Sequence, residues 1–324
     1  MNILHIKDPH TRIGLKAPIS RDQKEFEEDI ENKLQQIEDI CKKEKVDAIT
    51  FSGDIFDVKR EAVYTHKIKD LNYKRFLKLR NATRKKKIYS IAGNHDLPYS
   101  SREFKDQSIY VWMVRSGVFE DVHNKIIDLG EGIKLCGLDY NKNLGDLDRE
   151  IKELNSKLDP KYTNLLLFHE HLLPHEDFNG NPFLGSKMGY KKVLKRYPNI
   201  TVFLAGHYHK GYPVYKEKGR FIVNGWSLFR LARDYYTVNK FHVPEVNIIK
   251  IKNNVVKVKT IQLQVRSFDE AIKSERLEKE LEGNLNLTSF MEKVKETKLE
   301  EDIIEKDLTE TQKTILNEIM EGLK

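Results

Sequence analysis

The sequence predicts an α/β protein, a layered body in which a second sheet completes a sandwich flanked by helices. Three observations predict it. Short apolar, β-branched runs alternate with amphipathic helical stretches through the first two-thirds of the chain. From about residue 201 short strands follow one another across tight turns. Beyond about residue 266 the sequence turns charged, helical and poor in strand formers. Alternation supplies a sheet with helices packed on it, and the later strands supply a second sheet.

In order, residues 3–7 read as the first strand, and 8–20 as a loop containing Pro9, Gly14 and Pro18. Residues 22–43 read as an amphipathic helix with Phe26, Ile30, Leu34, Ile37 and Cys41 on one face. A buried strand over 46–51 ends at Ser52-Gly53, a helical region covers 61–83, and strand 88–92 breaks at Gly93. Helix 104–116, strand 133–138 and helix 146–157, bounded by Pro160, follow. Strand 165–168 runs into His169, and strand 201–204 into Gly206-His207. Strands 212–215, 220–223, 246–251 and 255–263 are separated by turns such as 216–219 and Asn253-Asn254. Near the end, Thr309-Glu310-Thr311-Gln312 matches a capping box. The helix behind it carries Ile315, Leu316, Ile319, Met320 and Leu323 on one stripe, which either docks on its own domain or binds a partner. The boundaries are a body over 1–266, a linker or reduced cap over 267–282 and a helical tail over 283–324.

Composition narrows the class. Two cysteines, Cys41 and Cys136, with no CxxC pair, argue against a stapled secreted scaffold and fit a reducing compartment. Met1 leads straight into the first strand without a signal-peptide pattern, and no apolar run is long enough to span a membrane. The expectation is a cytoplasmic protein. The net charge of +7 is uneven. Residues 1–266 hold 48 Lys/Arg against 34 Asp/Glu, whereas 267–324 hold 9 against 16. A basic body favours a polyanionic partner, nucleic acid first, and an acidic tail suggests a different one.

The chemistry sits in five polar clusters: Asp8-Pro9-His10, Gly53-Asp54-Ile55-Phe56-Asp57, Gly93-Asn94-His95-Asp96, His169, and Gly206-His207-Tyr208-His209. Each follows the C-terminal end of an expected strand, the edge where α/β sheets bind ligands. Asp8, His10, Asp54, Asn94, His169, His207 and His209 together offer carboxylate, imidazole and amide donors. About that many ligands hold two divalent cations sharing a carboxylate. The mixed nitrogen and oxygen set suits Mn2+, Fe2+ or Zn2+ better than Ca2+ or Mg2+. With no thiolate among them, a structural zinc site is not expected.

Asp-x-His, Gly-Asp-x-x-Asp, Gly-Asn-His-Asp, His and Gly-His-x-His, in this order over residues 1–263, resemble the calcineurin-like metallophosphoesterase superfamily. The resemblance implies a four-layer α/β/β/α metallophosphoesterase sandwich and two-metal hydrolysis of a phosphoester. It implies that Asp8, His10, Asp54 and His209 hold one metal, and that Asp54, Asn94, His169 and His207 hold the other. His95 is then free to stabilise the transition state or protonate the leaving oxygen. Asp57 orients His95 by the superfamily pattern, or else caps the next helix. Asp96 is either a support or a turn residue, and His171 and His175 are either decoys or substrate contacts.

The segments 224–231 and 242–249, the opening Asn2–Ile6 and the Gly53–Asp57 motif are similar to those of SbcD-type nucleases. That similarity implies a Mn2+-dependent DNA exonuclease and endonuclease, with Fe2+ or Mg2+ as alternative metals. It also implies a homodimer paired with an SbcC-like coiled-coil ATPase, which residues 283–324 would grip. Tyr99, Arg102 and Lys105 lie just past the Asn-His-Asp loop, where they are expected to touch a DNA backbone. A small-substrate phosphodiesterase or protein phosphatase is the alternative within the superfamily, and a non-catalytic scaffold the alternative outside it. Two departures stand out. Lys7 precedes Asp8, where Ser or Ala is more usual, and few residues follow the last hairpin. The short tail makes the chain more similar to compact bacteriophage versions, whose location is the host cytoplasm.

Overall fold

The computed structural model describes residues 1–273 except 19, 59–60, 175–187 and 229–241. The chain divides into two compact units, Met1–Ile272 and Lys273–Lys324, and all described residues but Lys273 belong to the first. The tail over 283–324 with its capping box lies outside the described residues, as does His175.

The first half runs β1 (Asn2–Ile6), α1 (Gln23–Lys43), β2 (Ala48–Phe51), α2 (His66–Asn81), β3 (Ile88–Ser90), α3 (Ile109–Arg115), β4 (Glu120–Asp121), β5 (Ile126–Gly130) and β6 (Ile133–Leu138). Then come α4 (Leu144–Lys157), β7 (Thr163–His169), β8 (Leu172–Leu173), β9 (Met188–Gly189), α5 (Tyr190–Arg196) and β10 (Val202–Gly206). The chain closes the unit with β11 (Tyr215–Glu217), β12 (Arg220–Val223), β13 (Glu245–Lys252), β14 (Val255–Gln262) and the single turn α6 (Phe268–Ala271).

Two six-stranded sheets form, ordered β14-β13-β1-β2-β3-β4 and β11-β12-β10-β7-β6-β5. The inner strands β1, β2 and β3 are parallel, as are β6, β7, β10 and β12, while β13–β14, β11 and β5 pair antiparallel. Strand period decides the layers. In β1, Leu4 and Ile6 face a cluster with Phe26, Ile30, Leu34, Phe76 and Tyr110 from the helices, whereas Ile3 faces the other sheet. The space between the sheets is filled from both sides, by Ile3, Ala48 and Ile249 of one and Leu135, Leu165, Leu167, Val202 and Leu204 of the other. Leu166, Phe168 and Phe203 point away from it onto α4 and α5. Each such fully buried side chain contributes roughly 1.5–3 kcal/mol. The result is the expected four layers, helix, sheet, sheet, helix.

Several elements depart from expectation. The 61–83 region splits into a short 3-10 turn at Glu61–Val63 and a helix capped by Thr65. Strands β4 and β5 were not expected, because two residues or an exposed edge carry little periodic signal. The expected strand over 212–215 forms three residues later, at Tyr215–Glu217, where it can pair antiparallel with Arg220–Ile222. Among the described residues no helix is long and apolar enough to cross a membrane.

Candidate metal centre

The parallel strands bring five loops to one edge. Register places Ile6 beside Phe51 and Phe51 beside Ser90 in the first sheet, and Gly206 beside His169 in the second. The residues that follow therefore emerge together. The backbone is unusual here: Asp8, His10, Asp54 and His207 all have positive φ (39°, 42°, 48° and 84°). Non-glycine residues seldom adopt such angles and hold them where surrounding structure over-determines them, most often at functional sites. Two glycines make the convergence possible. A Cβ on Gly93 would overlap the Asp54 carboxylate and amide, and one on Gly206 would overlap the Ser52 carbonyl and sit 2.6 Å from His169 Nδ1.

Asp54 is the centre. Its Oδ2 lies 3.4 Å from His10 Nε2 and 3.3 Å from His169 Nε2, and its Oδ1 accepts the His95 backbone N–H at 2.7 Å. Two convergent groups share it, His10–Asp54–His209 and Asp54–His169–His207, each with ligand atoms within 4.8 Å. His10 Nε2 and His209 Nε2 are 2.8 Å apart. Asn94 Oδ1 is 3.0 Å from His169 Nε2, and Asp8 Oδ1 accepts the His207 backbone N–H at 3.0 Å. His169 Nδ1 is fixed 2.7 Å from the Ser52 carbonyl, which turns Nε2 toward the centre. The structure thus brings His10 and His209 to one side of Asp54 and His169 and His207 to the other, with Asn94 against His169 and with Asp8 against His169 (3.7 Å) and the His207 backbone.

The chemistry of the set fits divalent cations. Asp8, His10, Asp54 and His169 are essentially inaccessible to solvent, and Asp8 Oδ2 is buried with no hydrogen-bond partner among the described residues. Such an orphaned acceptor costs stability unless a cation takes it. Burial pushes the Asp54 carboxyl up, but His169, His95 and His10 hold it well below the usual range. Burial opposes protonation of His169, yet Asp54, with Asp8 behind it, raises its pKa to about 9. Burial, aided by neighbouring imidazoles and opposed by Asp54, drives His10 and His207 well below 6.5. Both are therefore neutral, the form that ligates a metal.

His95 stands beside this centre and is more open, its side chain 31% exposed against 1% for His10. Its ring meets His10 edge-on at 4.9 Å. Asp57 Oδ1 is 3.8 Å from both His95 Nδ1 and His10 Nδ1, and the Asp57 carbonyl is 3.4 Å from His95 Nδ1. The other Asp57 oxygen faces Arg12 Nε at 3.3 Å. Asp57 is not a helix cap: the next α-helix starts at His66 with Thr65 as its cap.

Asp96 receives a definite role. Its carboxylate accepts the backbone N–H groups of Ile55 (3.1 Å), Phe56 (2.9 Å) and Gly93 (2.9 Å), which ties the Asp54 loop to the Asn94 loop. Burial, and then the Asp54 charge, raise its pKa to about 7. Asp96→Ala orphans three buried donors at roughly 1–3 kcal/mol each before water recovers part of the loss. Thermal unfolding should report a large fall in midpoint, and an unchanged midpoint would contradict this clamp.

Lys7 is turned onto the Tyr208 carbonyl, Asn224 Oδ1 at 2.6 Å and the Gly225 carbonyl at 2.8 Å. Its charge staples the first loop to the last. Arg102 forks onto Glu150 (2.6 and 3.1 Å) and the Asp139 and Tyr140 carbonyls, and Lys105 is held by Asp121 and Asp139 at 2.6 Å each. Both cations are already matched by carboxylates, so neither offers an open charge to a phosphate. Tyr99, at φ 54°, packs its ring 5.0 Å from Phe104. Two neighbours of the centre escaped sequence reasoning. Arg12 carried no signal at all. Tyr140, whose ring lies 5.3 Å from His207 and 6.1 Å from His169, follows the end of β6, so the strand-end rule could have found it.

The chain is 24% identical over 313 residues to the DNA double-strand break repair protein Mre11 of Sulfolobus acidocaldarius, covering 88% of this chain and 76% of that one. Among solved structures it is similar to GAP50, the anchor in the inner membrane complex of Plasmodium, at 10% identity over 86% of this chain and 93% of that one, with a TM-score of 0.50. It is also similar to TT1561 of Thermus thermophilus, at 14% identity over 81% and 99% of the two chains, with a TM-score of 0.49. The calcineurin-like phosphoesterase model matches residues 1–211, a span that contains all five loops. The chain belongs to the calcineurin-like phosphoesterase family, a family of metal-dependent hydrolases.

Proposed function

We propose that the chain is a Mn2+-dependent DNA nuclease with exonuclease and endonuclease activity, the catalytic subunit of an SbcCD-like repair and recombination complex. The observation that carries this reading is Asp54, shared between two imidazole groups with the more open His95 beside them. The DNA part rests on the basic composition of residues 1–266 and on the likeness to a protein named for double-strand break repair.

Asp8, His10, Asp54 and His209 would hold one cation, and Asp54, Asn94, His169 and His207 the other. Bound there, divalent cations supply Lewis acidity to the phosphate and acidify water. The chain's own work is to hold and move protons. Asp57 faces His95 Nδ1, which leaves Nε2 as the atom that gives a proton to the leaving oxygen. Asp96 keeps Asp54 and Asn94 in register. Tyr99 borders the loop from which a DNA backbone would be approached. Arg102 and Lys105 act there by bracing that loop. Residues 283–324 grip the coiled-coil ATPase, and two copies of the chain form the working dimer.

The test offers purified protein with Mn2+ linear duplex DNA, bis-p-nitrophenyl phosphate and a phosphopeptide, with and without the ATPase. DNA and the small diester should both be cleaved. Deleting 283–324 should abolish ATPase capture and spare the small diester. Cleavage of the diester without any degradation of DNA, even with the ATPase present, would sink the nuclease reading. No metal-dependent hydrolysis at all would favour a scaffold.

A further inference from the structure

A further set of donors converges on His207, which also belongs to one of the two groups that share Asp54. Glu170, His171 and His207 place ligand atoms within 4.8 Å of one another. Glu170 is 3% and His171 9% exposed, so a charge and an imidazole are buried side by side. One Glu170 oxygen, Oε1, accepts the His171 backbone N–H at 2.7 Å and lies 3.3 Å from His171 Nδ1. That ring nitrogen is buried and makes no hydrogen bond among the described residues. The His171 ring packs 4.1 Å from His207 and 5.5 Å from Tyr208, so it is held in place. The backbone is held as well, because His169 ends β7 and Leu172 begins β8, which pairs with Met188–Gly189. The buried His171 Nδ1 without a hydrogen bond is costly as it stands, and a cation held between it and the Glu170 carboxylate would relieve that cost.

We propose that Glu170, His171 and His207 form a third cation position, suited to a divalent metal that accepts mixed nitrogen and oxygen donors, and that it competes with the Asp54–His169 group for His207. The competition follows from the ring itself. A neutral imidazole has one lone pair, so His207 serves one group at a time. Filling the third position draws His207 away from the centre, and excess metal becomes an inhibitor. This rests on the reading of Asp54, His169 and His207 as metal ligands.

The experiment is equilibrium dialysis of the full chain against Mn2+ with metal analysis, alongside hydrolysis of bis-p-nitrophenyl phosphate from micromolar to high millimolar Mn2+. The wild type should take two tight equivalents and a weaker third. Its rate should fall about tenfold as the third fills, the lower end of what a lost metal support costs. Glu170→Gln and His171→Ala should each lose the third equivalent and the inhibition while keeping the two tight ones. Retention of the tight pair also marks a folded variant, and Glu170→Gln conserves volume should His171→Ala fail to fold. Two tight equivalents with no third, or a third that survives both substitutions, overturns this proposal alone. Fewer than two tight equivalents in the wild type overturns the binuclear reading and this one with it.

Discussion

Asp54→Asn should empty both halves of the centre at once. The substitution keeps the size of the side chain, and the amide oxygen can still accept the His95 backbone N–H that Asp54 Oδ1 accepts at 2.7 Å. What disappears is the charge that His10 and His169 face at 3.4 and 3.3 Å. Because both donor groups contain this carboxylate, neither can compensate for the other. Losing a residue that merely supports a ligand costs roughly 10–100-fold in metal affinity or activity. Losing the shared ligand should exceed that at both positions. Metal analysis after dialysis and hydrolysis of the small diester are the measurements, with circular dichroism to confirm the fold. An Asn variant that retains two equivalents and wild-type turnover would remove Asp54 from the middle of the site.

His95→Ala should leave the metal content intact and lower turnover by about 10²–10⁴-fold, the usual worth of a positioned general acid. The separation follows from placement. His95 lies outside both Asp54 groups, yet its ring meets His10 at 4.9 Å and faces Asp57 at 3.8 Å. The loss should depend on the leaving group. A nitrophenolate departs without much help from a proton, whereas a sugar alkoxide needs one. DNA cleavage should therefore suffer more than hydrolysis of bis-p-nitrophenyl phosphate. Equal losses on both substrates would assign His95 to charge stabilisation, and a wild-type rate on DNA would remove it from the mechanism.

The layered fold could be read along the chain because its cause is local. Strands of four or more residues with apolar period, such as β6 and β12, appear where the sequence expects them. Strand β4 and the start of β11 were invisible for the opposite reason. They form because a neighbour offers backbone partners, Tyr89 and Ser90 for β4 and Phe221 and Ile222 for β11. The candidate ligand residues are legible as types at strand ends, since parallel strands must release their loops at a common edge.

Sequence by itself determined which donors exist and in what order: Asp8, His10, Asp54, Asn94, His169, His207 and His209. Tertiary structure alone decided what lies between and around them. Asp96 became a clamp because the amides of Ile55 and Phe56 are folded against it. Lys7 became a staple because Asn224 and Gly225 lie within its reach, although more than 200 residues separate them in sequence. Arg102 and Lys105 became braces because Glu150, Asp121 and Asp139 reached them first. A donor's chemistry is carried by its own side chain. Whether it ligates, clamps or is neutralised depends on distances of a few ångströms to groups remote along the chain, and only packing sets those.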